Sequence, residues 1–376
     1  MKTADAIIIG GGILGTAAGY YLAREGFEVI LLEKEYLCAG STGRCIGGVR
    51  QQFVTSTTIK VAMESVRLFS TMKDEMGVDV EWYQGGYLFL AHSEERKKEY
   101  LTAIALQKRM GLDVDFISAS EIREIVPCLN LDGVLGAAYC PSDGQVNPFL
   151  VTKAYADGIK SLGGKILLGT EAIQIRGSDS RVTSVVTHTD EEYSAPIVVN
   201  AAGPSAKEVG RMAGVELLCE PERHEALVTE RSEPLFDPMI VDYRADGCYF
   251  IQHKPTNQFI GCYTPYPRIG GPRVDSSIEF IKEMPRRMLR LLPCLKEVKI
   301  IRQWAGSYTM TPDGSPIVGS TSLDGFLVAV GMSGHGLMLG PALGKLLAEL
   351  VASDRPSIPL DEFAYGREFR TGEVLK

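Results

Sequence analysis

Apolar and polar positions alternate between two textures along the chain. Ala6 to Ile9 is a continuous apolar run, which reads as a strand buried on both faces. Ile13 to Arg24 has helical spacing, Gly26 ends it, and Glu28 to Leu32 is a second apolar strand, so the segment is a βαβ unit. A polar, glycine-rich loop (Ala39 to Arg50) precedes a predicted helix over Ser56 to Met76. Gly86 to Ala91 reads as a strand, Glu94 to Met110 as a charged helix, and Ser118 with Glu121 as a capping box. Pro148 to Leu162 is a helix with proline near its start, followed by strands at Lys165–Leu168, Ala172–Arg176 and Val182–Thr187. Ile197 to Val199 again runs from an apolar strand into small residues, Asn200-Ala201-Ala202-Gly203-Pro204. The texture then turns β-branched and aromatic at Ala226–Thr229, Met239–Tyr243, Cys248–Gln252 and Gln258–Tyr263, predicting an antiparallel sheet. Asp275 to Leu292 reads as a helix, Lys299 to Thr309 as a strand, and Phe326 to Val330 as a last buried strand before a C-terminal helix.

Parallel βαβ texture at both ends and in the middle, with β-rich texture between, predicts an α/β protein of two units. A Rossmann-like nucleotide-binding domain with a parallel sheet takes residues 1–80, 141–212 and 310–376. A substrate domain with a mixed, largely antiparallel sheet takes 81–140 and 213–309. The 376 residues suffice for two buried cores.

Composition narrows the class. With 39 Lys+Arg against 47 Asp+Glu the net charge is −8, which argues against nucleic acid. The eight cysteines are scattered without a Cys-x-x-Cys pair, the pattern of reduced cytoplasmic thiols rather than of a disulfide framework or a metal site. The first residues enter a strand without a leader-like apolar region. Phe326 to Gly344 is nineteen residues without a charge, but its five glycines, Ser333, His335 and Pro341 predict strand, turn and helix instead of a membrane span. Glycine is in excess, and 19 of the 40 glycines fall in residues 1–48 and 306–344. Such clustering points to backbone held close to something.

Gly10-Gly11-Gly12-Ile13-Leu14-Gly15 is G-x-G-x-x-G between strand and helix. Gly10 suits the tight turn, Gly12 the approach of a pyrophosphate to the backbone, and Gly15 close helix–strand packing. The helix N-terminus favours the diphosphate, and Glu33 ends the second strand where a carboxylate meets an adenosine ribose. That acid disfavours a 2′-phosphate; NAD and FAD remain, and Lys34 serves either. The loop of Ser41, Thr42, Gly43, Arg44, Cys45, Gly47, Gly48 and Arg50 offers donors for a second phosphate and backbone that can lie against a flat ring. Pro312 to Gly319, with Gly331-Met332-Ser333-Gly334-His335-Gly336 at a strand–helix junction, predicts amides converging on negative charge, as at N1 and O2 of a reduced flavin.

Together these segments, with Val199-Asn200-Ala201-Ala202-Gly203, resemble the FAD-dependent D-amino acid oxidase superfamily. Within it, Ser41-Thr42-Gly43-Arg44-Cys45, Val49-Arg50-Gln51-Gln52-Phe53 and Arg302-Gln303-Trp304-Ala305-Gly306 are most similar to the β subunits of sarcosine oxidase and L-proline dehydrogenase. The resemblance implies FAD bound by the residues above and by Ala172, Ala201, Ala202, Gly203, Gly306, Gly331, Ser333, Gly334, His335 and Gly336. It implies oxidation of the C–N bond of an amino acid, a secondary amine such as L-proline or sarcosine, by hydride transfer to flavin N5 to give an imine. A second subunit carrying another redox cofactor is implied as partner. Gly306 and Ser307 precede Tyr308-Thr309 where monomeric sarcosine oxidases attach flavin through cysteine, so FAD is expected to be non-covalent. Met338 stands where those enzymes carry an oxygen-activating lysine, which favours a dehydrogenase, and Tyr308 replaces the carboxylate-binding arginine of glycine and D-amino acid oxidases. The expected catalytic set is Arg50 for the substrate carboxylate, with Arg44 and Arg302 as alternatives, and Tyr249, His253 and Tyr263 on the β-rich domain. Alternation puts Tyr249, Ile251 and His253 on one face, and His253 or His224 would tune amine protonation. An NAD-linked dehydrogenase, a glycine or D-amino acid oxidase and a non-catalytic FAD-binding assembly factor remain as rival readings.

Overall fold

The structure, a computed structural model, describes residues 2–178 and 180–369. A six-stranded sheet orders Ile317–Ser320, Phe326–Val330, Ile197–Asn200, Ala6–Ile9, Val29–Leu32 and Lys165–Leu167, parallel throughout except for Ile317–Ser320. Its inner strands are buried on both faces, and the pleat divides their side chains. Ala6, Ile8, Leu31 and Val199 face a helical layer of Ile13–Arg24, Ser56–Met76, Pro148–Ser161 and Gly336–Ser353. Ile7, Ile9, Ile30 and Val198 face a four-stranded sheet that includes Ala172–Ser178 and Arg181–Thr187. Continuous apolar runs were required because neither face meets water.

An eight-stranded sheet orders Ile300–Met310, Glu220–Arg231, Gln258–Cys262, Tyr249–His253, Met239–Val241, Tyr87–Ala91, Gly136–Cys140 and Asp115–Ile117. It is antiparallel apart from the parallel pair Met239–Val241 and Tyr87–Ala91, so it is mixed and largely antiparallel as expected. Leu88 and Leu90 pack on one face, Tyr87 and Phe89 on the other.

Ser56–Met76 runs over the predicted span, from the Thr55 hydroxyl that accepts from Thr58 N to left-handed Gly77. The Ser118/Glu121 capping box is formed. The helix predicted from Asp275 begins only at Ile278, because Ser277 caps it by accepting from Phe280 N while Glu225 accepts from Ser277 N and Oγ. Gly136–Cys140 and Asp115–Ile117, unremarked in the sequence, are strands through pairing with their neighbours. Phe326 to Gly344 divides into strand, turn and helix. Gly336–Ser353 is long and apolar enough to cross a membrane, but 61% of it is buried against the helical layer.

Candidate active site

Two contiguous cavities occupy the junction of the sheets. The smaller, about 350 Å³, is a cleft along the C-terminal ends of the parallel strands, where ligands bind in doubly wound sheets. Of the expected cofactor set it is lined by Gly10, Gly12, Ile13, Leu14, Glu33, Lys34, Ser41, Thr42, Arg44, Cys45, Ala172, Ala201, Ala202, Gly203, Gly331, Gly334 and Gly336. The larger, about 1140 Å³, opens under the eight-stranded sheet and is lined by Gly47, Gly48, Arg50, Tyr249, Tyr263, Gly306, Ser333 and His335 from the expected sets. Ser41, Arg44, Cys45, Ser307, Tyr308, Gly334 and Leu337 border both. Gly15 lines neither; it lets the helix lie against Gly10.

The cleft has the chemistry of a dinucleotide site. Helix Ile13–Arg24 starts at Gly12, which has no side chain to cap the first turn. Gly10 has φ of +114°, and a Cβ there would come 2.5 Å from Ala201 O. Glu33 accepts from Gly11 N (2.7 Å) and Glu35 N (2.8 Å), which fixes its carboxylate at the rim with lone pairs to spare for a diol. Thr42 Oγ1 accepts from Ile13 N at 3.1 Å and clasps the loop to the helix start. Ser41 Oγ donates to Ser307 O, Arg44 Nη1 to Ala305 O, and Trp304 Nε1 to Arg44 O, so this loop covers the edge of strand Ile300–Met310. The predicted loop is thus built, with a short 3-10 turn at Thr42–Arg44 and a strand at Gly48–Val49 paired to Gly144–Gln145.

At the other end of the cleft, helix Gly336–Ser353 also begins without a side-chain cap. Gly331, Ser333 and Gly334 all have positive φ, and a Cβ on Gly334 would lie 2.5 Å from the Tyr308 ring. Two amides of this turn are spent within the protein, Ser333 N on Thr309 O and His335 N on Met332 O, while Gly334 and Gly336 line the cleft at the helix start, where partial positive charge suits an anionic edge of a ring.

Around the larger cavity, Arg50 is only 2% exposed. Its Nη1 donates to Gln52 O at 2.5 Å, and its Nη2 lies 3.0 Å from His335 Nε2. Guanidinium can only donate, so that imidazole nitrogen accepts and the proton sits on Nδ1. The guanidinium also lies over the Phe53 ring, 4.2 Å from its centre. Arg50 is therefore a clamped cation in the wall. Arg44 is committed to carbonyls of Ala39 and Ala305, and Arg302 is exposed and lines neither cavity.

Tyr249 Oη lies 3.1 Å from Tyr308 Oη, and burial pushes both phenols well up from their ordinary range, so both stay protonated at neutral pH. Tyr263 stacks on Phe280 and under Arg287. His253 stands apart: although it follows Tyr249 and Ile251 on the strand, the strand ends there, its Nδ1 pairs with Thr256 Oγ1, and it lines neither cavity. Tyr308 and Glu222 lie outside the catalytic set expected from the sequence. Both sit on paired strands, with Glu222 opposite Tyr308, a register no local pattern encodes.

Behind Arg50 lies a fully buried carboxylate. Asp143 accepts from Gln51 N and Gln51 Nε2, and from Gln52 Nε2. Burial pushes its acid up to about 6 against these hydrogen bonds. A raised acid binds more protons folded than unfolded, so its contribution to stability declines as pH rises from about 4 to about 6 and is level above. The melting temperature of the native protein minus that of Asp143→Asn is expected to fall across that window. A flat difference would exclude a raised acid.

The family model described as "FAD dependent oxidoreductase" matches residues 5–350. Sarcosine oxidase subunit beta from Rhodobacter capsulatus is 28% identical over all of this chain and 90% of its own length. Mouse mitochondrial sarcosine dehydrogenase is 28% identical over 94% of this chain, but the chain spans only 40% of that protein. The solved structure of L-proline dehydrogenase from P. horikoshii superposes with a TM-score of 0.92 at 32% identity, covering 96% of this chain and 97% of that one. A match reaching from the first βαβ unit to the last core helix places this chain in the family of FAD-dependent oxidoreductases.

Proposed function

We propose that the chain oxidises the C–N bond of an amino acid with non-covalent FAD, and that the substrate is a secondary amine of the L-proline or sarcosine type. The observation that carries this reading is one cavity holding a protonated hydroxyl pair, Tyr249 and Tyr308, and a clamped cation, Arg50, bordering the cleft that the helix start at Gly336 lines. FAD, when bound, supplies the two-electron acceptor for the hydrogen on the carbon beside nitrogen.

The chain's own residues position and exclude. Gly10–Leu14 and Glu33 would hold the diphosphate and ribose, and the helix start at Gly336, with Gly334, would stabilise the anionic edge of the ring. Arg50 attracts the carboxylate, and the hydroxyl pair donates to it. Tyr263, on Phe280, narrows the cavity around the carbon chain and keeps water out. The amine enters neutral, so the site needs no strong base. We assign residues 1–80, 141–212 and 310–376 to the cofactor and residues 81–140 and 213–309 to the substrate; of these, residues 1, 179 and 370–376 lie outside the described residues. Met338 lines the substrate cavity and offers no cation to activate oxygen, which supports a dehydrogenase. Similarity to a subunit of sarcosine oxidase supports a partner chain, and we propose that this partner carries its own redox cofactor.

Anaerobic mixing of the FAD-loaded protein with L-, D- and N-methyl amino acids tests the reading. Bleaching of the flavin by L-proline or sarcosine, with dye outpacing oxygen as acceptor, is the expected result. Bleaching confined to glycine or D-amino acids would replace the substrate class. No bleaching by any amine would leave an assembly factor.

A further inference from the structure

Strand Glu220–Arg231 places Glu222 and His224 at the wall of the larger cavity, next to Tyr308. His224 is 7% exposed, and its imidazole lies flat on the Tyr308 ring, with centroids 3.8 Å apart and planes 18° from parallel. Its Nε2 is 3.0 Å from Glu222 Oε1. Burial works against the Glu222 charge, but the hydrogen bond from His224 and the charge of Arg268 hold its acid below the usual carboxylate range. An ionised carboxylate only accepts, so Nε2 carries the proton.

The other ring nitrogen is the informative one. His224 Nδ1 is buried with no hydrogen-bond partner among the described residues. Buried polar atoms are nearly always paired, and an orphan calls for a competing demand on the side chain. Here the demand is visible: Glu222 grips one end of the ring and Tyr308 takes its face. Glu222 is itself held by Arg268, 3.3 Å away on the segment between Cys262 and Ile278, so the grip extends to the rim of the cavity.

Tyr308 in turn meets Tyr249 hydroxyl to hydroxyl. Of the two protons on that pair, one is spent between the oxygens, and the other falls to the Cys262 sulfur, which Tyr249 also hydrogen-bonds, or to a ligand in the cavity. Its direction depends on how each phenol is turned about its ring axis and tilted against its neighbour. Tyr249 sits on strand Tyr249–His253, whereas Tyr308 has the imidazole on its face.

We propose that His224 is a positioning residue: lying flat against Tyr308, it holds the Tyr308 hydroxyl on Tyr249 and thereby sets the affinity of the cavity for the substrate carboxylate. The proposal rests on the amino acid reading of the cavity given above, and it assigns no proton transfer to His224.

The experiment compares three variants of the FAD-loaded protein in anaerobic flavin-reduction titrations with the amino acid that reduces the native protein. His224→Ala removes the ring and is expected to raise the apparent dissociation constant about three- to tenfold, the range of one aromatic stack, with the limiting reduction rate within about twofold. His224→Phe keeps a flat ring without the Glu222 bond and is expected to bind as the native protein does. His224→Asn keeps a donor for Glu222 without a ring and should match alanine. Phenylalanine as weak as alanine, or asparagine as tight as native, overturns the role. So does a variant in which the limiting rate falls while affinity holds. If the alanine protein loses its flavin, the phenylalanine and asparagine proteins decide between them. A native flavin that no amino acid bleaches overturns the substrate reading and this role with it; a native flavin that bleaches beside a contrary variant pattern overturns the role alone.

Discussion

Gly15→Ala is expected to yield protein that binds no FAD and melts well below the native chain. A Cβ on Gly15 would stand well inside van der Waals contact with the carbonyl oxygen of Gly10 and 3.3 Å from Ile8 Cγ2. Neither neighbour can give: Gly10 is backbone at the turn, and Ile8 is fully buried in the central strand. The helix would have to lift from the sheet, and overpacking of this kind costs about 1–3 kcal/mol or more. Lifting also carries the helix start, with its clasp from Ile13 N to Thr42, away from the cleft, so the cofactor is lost along with stability. Flavin absorbance per chain and the melting temperature check both halves. Gly270→Ala is the control, since nothing lies within 4 Å of its added Cβ and its φ is not positive. Stoichiometric FAD in Gly15→Ala at an unchanged melting temperature would remove the close packing as the reason for this glycine.

Arg50→Ala is expected to retain FAD and to raise KM for the amino acid about ten- to a hundredfold, the equivalent of one charge-assisted hydrogen bond lost. The same change is expected to destabilise the fold, because the side chain is 2% exposed and its removal takes away the donor to Gln52 O, the contact with His335 Nε2 and the cation over the Phe53 face. The two effects separate by measurement: KM and kcat under anaerobic turnover with dye, and melting temperature on the same preparation. An unchanged KM beside a lowered melting temperature would make Arg50 a structural clamp only. Arg50→Lys distinguishes charge from geometry, since lysine keeps the cation but cannot reach both Gln52 and His335 with a planar fork.

Some of the site was legible because its geometry is local. Gly10 to Glu33 is one strand, one turn, one helix and a second strand, and each step follows from neighbours in sequence. Ser56–Met76 was readable to its ends because a threonine cap and a glycine stop enclose a helical period. The loop around Ser41 and Thr42 was recognisable in kind, though its clasp onto Ile13 and onto strand Ile300–Met310 depends on segments far along the chain. His253 shows the limit of alternation. It shares a face with Tyr249, but the cavity ends before the strand does. Arg50 was legible as a cation and not as a clamped one, since His335 lies 285 positions away.

By itself the sequence determined the nucleotide-binding unit, the two textures of the chain and the concentration of glycine at the cofactor. These depend on periodicity, turn chemistry and backbone space, which short segments carry within themselves. Only the tertiary structure decided which groups line the larger cavity. Glu222, His224, Tyr249, Arg268 and Tyr308 come from separate strands and a connecting segment, and they meet because long-range strand register and burial bring them together. A side chain's partner across a sheet is a property of pairing, and pairing is settled by the packing of the whole core.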